Sequence, residues 1–385
     1  MRIAALDGLR GIAAIIVVVT HLRVANSFFL QDWVQNSHSL LSVFYVLSGF
    51  VVAYAYAETM RSARDVGNFS LRRVGRLWPL HLVMLGYLVS LELIRLSLNL
   101  AGILNSGHAP FTGSTSLEGL WESALLVQMW GWHKTFAWNY PAYTMSVTIP
   151  AYALFCLVAL TLKPMAARVA AWALILVAAA AIHAEGTDMW GAWPGPSIAR
   201  GVMDFFLGAC AFYVWRRWPI NSGWLGGAFS IGAALCIFLI AQSGPVGWLF
   251  PASSLLCALM VYALATEKGP FAALLRTKPA QFLGEISLSV FLIHVPLLLT
   301  LSSLLMVGAK LSGQEFFPEV TLPSGEIVEL VRFGPAWVMD LTCLGLLGVV
   351  IFAAWLAHRF IEAPARDFVH SLAARKFGAR APQAA

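Results

Sequence analysis

Ten long apolar segments, separated by shorter polar stretches, run through most of the 385-residue chain. A helix of about 20 apolar residues crosses the hydrocarbon core of a bilayer. The pattern therefore predicts an all-α integral membrane protein, a bundle of ten transmembrane helices near residues 8–25, 38–57, 77–94, 147–162, 169–183, 199–215, 224–241, 249–266, 281–306 and 336–358. We expect a single transmembrane domain over 1–366, followed by a basic, disordered cytoplasmic tail over 367–385.

An eleventh apolar segment, 117–130, decides the topology, because every later span would be inverted if it crossed the membrane. Basic residues favour the cytoplasmic side. Without this segment 19 of the 25 Lys and Arg residues fall inside, against 11 if it spans, and the outer six are Arg23, Arg95, Lys134, Arg200, Lys310 and Arg332. Its Glu118 and Glu122 would also be costly at the bilayer centre. We therefore predict both termini inside, and a short interfacial or re-entrant helix in the outer loop 95–146.

The composition excludes several other classes of protein. Hydrophobic residues make up 59% of the chain and charged residues 11%, which leaves little sequence for a separate soluble module. The net charge of +6 follows from the loops that face the cytoplasm, so we expect no nucleic-acid partner. The five cysteines all lie in apolar segments, which indicates neither a disulfide framework nor a zinc site, and we expect no metal. The first apolar segment lacks a cleavage pattern and is expected to be a retained helix.

Two predicted spans carry a histidine, and an ionisable residue inside a membrane is a candidate functional residue because its burial is costly. Arg10 and His21 lie on one face of the first span, about 16 Å apart along its axis. His294 lies about 20 Å above Gln281, where the ninth span begins. We expect the two histidines at similar depth, near mid-membrane. The alternative is that each imidazole only bonds a neighbouring helix.

An arginine cluster precedes the third span. Arg73 and Arg76 are three positions apart and therefore share a helical face, and Arg72 adjoins them. Guanidinium groups suit bidentate contact with phosphate, although an ordinary cytoplasmic anchor has the same composition. Arg10 is expected at the same membrane level. The sequence therefore predicts a site for a cytoplasmic phosphorylated donor beneath the histidines.

The motifs that carry these residues are similar to those of a known family. They are LDGLRG at 6–11, FYVLSGF at 44–50, RRVGRLWPL at 72–80, WNYP at 138–141, ISLSVFLIHVP at 286–296 and FIEAPAR at 360–366. With His21 at its place after the first of them, the chain resembles acyltransferase family 3, the integral-membrane acyltransferases of bacterial surface polysaccharides.

The resemblance implies an O-acyltransferase of the bacterial inner membrane. Its co-substrate would be cytoplasmic acyl-CoA, with acetyl-CoA as the expected donor, and no cofactor would be permanently bound. The acceptor would be a hydroxyl of a cell-surface or secreted glycan or of a lipid-linked sugar. The implied roles are catalytic for His21 and His294, donor-binding for Arg10, Arg72, Arg73 and Arg76, and supporting for Asp7, Ser48, Ser146 and Glu362.

Two positions depart from the family's usual pattern. Ser42 and Thr148 stand where relatives usually have an acid, which leaves open a different acceptor, a slow enzyme or an inactive member. A membrane transporter or carrier also uses buried histidine and arginine, and it remains the alternative from another functional class. For the enzyme, His21 either acts as a general base or accepts the acyl group covalently.

Overall fold

The computed structural model describes residues 3–25, 27, 30–36, 40–103, 109–131, 136–185, 194–243, 249–322 and 327–378. The helices of its first half are α1 (Ala4–His21), α2 (Asp32–Gln35), α3 (Leu41–Tyr56), α4 (Ala63–Leu100), α5 (Leu117–Leu125), α6 (Tyr143–Thr161) and α7 (Met165–Glu185). Those of the second half are α8 (Pro194–Arg217), α9 (Gly223–Gln242), α10 (Leu249–Leu264), α11 (Pro270–Leu275), α12 (Lys278–Ser312), α13 (Ala336–Ala357) and α14 (Ala363–Phe377). A π-helical turn, His358–Glu362, joins the last two.

The long helices coincide with the predicted apolar segments. Among the described residues, eight helices are long and apolar enough to cross a membrane, and two shorter apolar helices, Leu41–Tyr56 and Ala252–Leu264, occupy the other two predicted positions. Their outward faces carry large apolar side chains, such as Leu174 at 71% exposure and Leu235 at 58%. Such surfaces suit a lipid environment. The all-α membrane class is confirmed, whereas the count of ten crossings and the side of each terminus stay predictions.

Segment 117–130 forms only the nine-residue helix α5. Its length of about 13 Å is less than half of a bilayer core. The Ser116 hydroxyl caps the helix by accepting a hydrogen bond from the Gly119 amide. A short helix in this loop is therefore observed as predicted, and its interfacial position stays a prediction. Lys134, in the same loop, lies outside the described residues.

Helix α4 is much longer than its predicted span of 77–94. It has 38 residues, or about 57 Å, and begins at a capping box formed by Ser62 and Asp65. The arginine run 72–76 therefore belongs to the same rigid helix as the span. Because the helix is continuous, the positions of these arginines are fixed relative to the part of α4 that lies inside the bundle.

The predicted disordered tail, 367–385, is helical as far as Phe377, so disorder does not extend over this part. Helix α14 packs against the first half of α4, where a Cβ on Gly75 would lie 2.5 Å from the Val369 Cβ. This close packing supplies the ordering that composition alone did not predict. Residues 379–385 lie outside the described residues.

A small β-hairpin lies between α12 and α13, where the sequence predicted only a loop. Strands β1 (Glu319–Thr321) and β2 (Ile327–Glu329) pair antiparallel, with Val320 opposite Val328. A parallel bridge between Val24 and Val331 joins this region to the chain that leaves α1. The hairpin region thus ties the chain after α1 to the segment that joins α12 and α13.

Candidate active site

The two predicted catalytic histidines meet inside the bundle. His21 ends α1 and His294 lies within α12, and the centroids of their rings are 5.1 Å apart. The imidazole of His294 is fully buried, whereas His21 is partly exposed. The pair therefore has one accessible and one enclosed member.

Each imidazole is oriented by its own helix. His21 Nδ1 lies 2.7 Å from the Val17 carbonyl oxygen, and His294 Nδ1 lies 3.1 Å from the Val290 carbonyl oxygen. A carbonyl can only accept, so each Nδ1 carries the hydrogen and donates it. Nε2 is then the atom with a free lone pair in both rings. In His294 this Nε2 is buried and has no hydrogen-bond partner among the described residues.

The close approach of α1 and α12 sets this pair. A Cβ on Gly11 would lie 2.8 Å from the Leu283 Cβ, and one on Gly284 would lie 2.7 Å from the Asp7 carbonyl carbon. Neither position has room for a side chain, so the two glycines let the backbones touch. Gly11 precedes His21 by ten residues, as Gly284 precedes His294. Two parallel helices in contact at the glycines therefore bring the histidines to the same level, about 15 Å further along.

The segment before α6 lies beside the histidines. The ring centroid of Tyr140 is 5.4 Å from that of His21. The side-chain amide of Asn139 donates a 2.9 Å hydrogen bond to the Leu292 carbonyl in α12. Helix α1 ends at His21 instead of continuing to residue 25 as predicted. The histidine therefore lies at the end of its helix, whereas His294 lies in the interior of α12.

Arg10 lies on the same face of α1 as His21, as predicted, and is held by three contacts. Its Nη2 lies 3.1 Å from Asp7 Oδ1 and donates to the Gly284 carbonyl at 2.9 Å, while its Nε donates to the Ser287 hydroxyl at 2.9 Å. Two of these partners belong to α12. Arg10 is thereby fixed in the groove between the two helices, with Asp7 as the supporting acid.

The arginines of α4 point into the same region. Arg73 lies over the rings of Phe69 and Tyr152, with its Cζ 5.2 and 5.4 Å from their centroids. The Tyr152 hydroxyl is 3.0 Å from the hydroxyl of Ser48, which gives this predicted supporting residue an indirect contact with Arg73. The Arg73 guanidinium thus lies against aromatic faces, without a carboxylate partner within 4 Å among the described residues.

Arg76 and Arg72 occupy the two sides of this cluster. Arg76 interacts electrostatically with Arg10, Arg73 and Glu362. Arg72 Nε donates to the Asn68 side-chain oxygen at 2.9 Å. Arg10, Arg73 and Arg76 therefore converge as predicted. Arg72 lies beside them, toward α14.

Glu362 occupies the π-helical turn and is almost fully buried. The Ser289 hydroxyl donates to its Oε2 at 2.6 Å, and His358 Nδ1 lies 3.1 Å from the same oxygen. A π-helical turn inside a longer helix often marks a functional position. Here it places a buried carboxylate near Arg76, so Glu362 belongs to the surroundings of the arginine cluster.

Ser146 has a different place from the other predicted supporting residues. Its hydroxyl accepts a hydrogen bond from the Met129 amide at 3.2 Å, so it anchors the outer loop to α6. Thr148 donates to the Thr144 carbonyl in its own helix. Neither side chain is in hydrogen-bonding contact with a histidine of the pair.

A buried ion pair escaped the sequence reasoning. Arg200, counted on the outer side and second in the predicted span 199–215, lies inside α8 at 3% exposure, with its Nε 3.9 Å from Oδ2 of the fully buried Asp204. Its Nη2 also donates to the Ser42 hydroxyl at 3.2 Å. Helix α8 begins at Pro194, five residues before the predicted span, so Arg200 belongs to the helix interior and not to its end. The spacing of an arginine and an aspartate four residues apart in an apolar segment was the available signal.

The profile of the acyltransferase domain family Acyl_transf_3 matches residues 3–358. The chain belongs to acyltransferase family 3. The match includes every predicted site residue except Glu362, which lies just beyond it. The resemblance found in the motifs is thus confirmed, and this family-3 protein is a membrane acyltransferase by its family.

One of the curated relatives that match the chain is named as an acyltransferase. Acyltransferase MdmB of Streptomyces mycarofaciens is 27% identical over 400 residues, which cover 94% of this chain and 92% of the relative. Protein 2 in picA locus of Rhizobium radiobacter is 36% identical over 90 residues, which cover 23% of this chain and 45% of that protein. No solved structure gave a significant match to this family-3 chain.

Proposed function

We propose that this protein is an O-acyltransferase that moves an acyl group from cytoplasmic acyl-CoA to a hydroxyl of a glycan or lipid-linked sugar at the cell surface or on its way there. We take acetyl-CoA as the donor and the bacterial inner membrane as the location, with ten spans and both termini in the cytoplasm. The observation that supports the proposal best is the geometry of α1. This helix holds Arg10, in an arginine cluster, and His21, beside a second histidine, on one face.

The arginine cluster supports a phosphorylated donor. Three guanidinium groups, of Arg10, Arg73 and Arg76, repel one another unless an anion lies between them. Phosphate oxygens would accept their hydrogens and offset this repulsion. The pantetheine arm of CoA would then extend along α1, over the roughly 16 Å that separates Arg10 from His21.

His21 supplies the base that the transfer requires. As the acceptor oxygen attacks the thioester carbonyl carbon, Nε2 of His21 takes the hydroxyl proton. The carbon–sulfur bond then breaks, and the proton passes from His21 to the leaving CoA thiolate. His294, with its unpartnered Nε2, lies beside this centre as a second base. The free Nε2 of His21 would also allow a covalent route, in which it carries the acyl group between donor and acceptor.

Binding of CoA to the purified full-length protein in detergent tests the donor. We expect Arg73→Gln and Arg76→Gln each to weaken CoA binding about tenfold or more, because each removes a charge-assisted hydrogen bond. Arg217→Gln, an exposed arginine on the same predicted side, is the matched control and should leave the affinity unchanged. Absence of CoA binding would contradict the proposal and favour a transporter.

Two further measurements define the reaction. Glycan analysis of cells with and without the gene should show an acyl ester that depends on the protein. Incubation with radiolabelled acetyl-CoA in the absence of acceptor distinguishes the routes, since label retained on His21 would indicate the covalent one. A folded protein that binds acetyl-CoA but never turns it over would instead be an inactive member.

A further inference from the structure

Helix α14 is held against the cytoplasmic half of α4 by two glycines. A Cβ on Gly75 would lie 2.5 Å from the Val369 Cβ, and one on Gly67 would lie 2.9 Å from the ring of Phe377. Positions on α4 thus pair with positions on α14 in opposite order, eight residues apart on both. The two helices are therefore antiparallel and in close contact over at least two turns.

This contact brings like charges together. His370 on α14 interacts electrostatically with Arg72, Arg76 and Arg366, and with the carboxylate of Asp367. Arg366 and His370 are four residues apart and share a face of α14, as Arg72 and Arg76 do on α4. Basic groups from both helices therefore lie near one another along the groove between α4 and α14.

The groove has hydrogen-bond donors to spare. Arg72 uses Nε on Asn68, and among the described residues its terminal nitrogens have no hydrogen-bond partner. Arg366 Nε lies 3.1 Å from Asp367, its neighbour in sequence, whose side chain is 69% exposed. An exposed ion pair of this kind is weak, so Arg366 can exchange it for a better anion.

We propose that Arg72, Arg366 and His370 form a second phosphate site, which binds the 3′-phosphate of the CoA donor. His370 interacts with Arg76 of the first cluster as well as with Arg72, so one ligand with phosphates at two places would span both clusters. Acyl-CoA has this form, with a pyrophosphate next to the pantetheine arm and a separate phosphate on the ribose. The inference rests on the proposed function, and it selects a free CoA thioester over an acyl group carried on a protein-bound phosphopantetheine.

Comparison of CoA with 3′-dephospho-CoA tests this site in the full-length protein, reconstituted in phosphatidylcholine vesicles. We expect CoA to bind about tenfold more tightly, as one charge-assisted phosphate contact allows. Arg366→Gln and His370→Gln should weaken CoA binding toward that of 3′-dephospho-CoA and leave the latter unchanged. Arg375→Gln, an exposed arginine on the opposite face of α14, is the matched control and should preserve the difference.

The outcomes separate the sources of phosphate. Equal binding of the two ligands by the wild type overturns the second site but leaves the proposed donor intact, whereas no binding of either ligand overturns both. The same measurement in vesicles of equal parts phosphatidylcholine and phosphatidylglycerol tests a lipid headgroup. A preference for CoA that is present in phosphatidylcholine but lost in the anionic vesicles, where phosphatidylglycerol headgroups compete for the same basic side chains, would assign the groove to lipid and overturn the inference. Size-exclusion profiles matched to wild type show that the variants fold.

Discussion

His21 and His294 lie side by side with their ring centroids 5.1 Å apart, and both rings donate through Nδ1 to a carbonyl four residues earlier. The arrangement follows from two parallel helices that touch at glycines ten residues before each histidine. Because each Nδ1 is occupied, both rings have Nε2 as the basic atom. One short contact between helices therefore controls the level and the chemistry of both side chains.

Loss of the partly exposed imidazole should remove catalysis. We expect His21→Ala to lower acyl transfer about 10²- to 10⁴-fold, the usual contribution of a general base. Thr342→Val, which removes a hydroxyl that donates to the Val338 carbonyl within α13, is the control and should stay within a few-fold of wild type. Transfer from labelled acetyl-CoA by purified protein measures both. Near-normal activity of a folded His21→Ala protein would contradict the assignment.

The glycine contact should tolerate no side chain. Gly11→Ala places a methyl group within 3 Å of Leu283, so we expect it to destabilise the protein by about 1–3 kcal/mol and to separate the histidines. Gly86→Ala is the control, because its Cβ meets no described atom within 4 Å. In that helix interior alanine should be neutral or stabilising by about 0.5–1 kcal/mol. The free energy of unfolding is measured in detergent for both variants. Equal values for Gly11→Ala and Gly86→Ala would show that the close approach of α1 and α12 is unimportant.

The buried carboxylate of the π-helical turn should be coupled to α12. Glu362→Ala and Ser289→Ala each remove one partner of the 2.6 Å hydrogen bond between these residues, and each should lower the free energy of unfolding by about 1–3 kcal/mol. The double variant should lose less than the sum, with a coupling of about 0.5–3 kcal/mol. Strictly additive losses in a double-mutant cycle would show that the contact contributes nothing.

Removing one partner of the Arg200–Asp204 pair should destabilise the protein more than replacing both residues by apolar ones. Asp204→Ala leaves a buried guanidinium without its acid, and we expect a loss of about 3–5 kcal/mol. Replacing both residues, by Arg200→Met and Asp204→Leu, should recover much of that loss. Glu58→Gln removes the partner of Arg216 in an exposed ion pair and should cost less than about 1 kcal/mol. Similar losses for Asp204→Ala and Glu58→Gln would refute the importance of burial.

The apolar pattern predicted the positions of the long helices, because a segment of that length and hydropathy has few stable alternatives in a membrane. It failed where packing sets the boundaries. Helix α4 extends about 14 residues before the predicted span, since its first half has a partner in α14. Helix α8 likewise begins five residues before its predicted span, and Asp204 and Ser42 contact the Arg200 side chain inside it.

The sequence by itself determined the membrane class, the family and the residue types of the candidate site, because these depend on local composition and on motifs. Helical periodicity also placed Arg10 and His21 on one face. Only the tertiary structure decided that His294 meets His21, since their contact depends on the register of α1 against α12 at Gly11 and Gly284. No local rule relates residues so distant in the chain. Their proximity comes from backbone contact at two positions where a side chain would not fit.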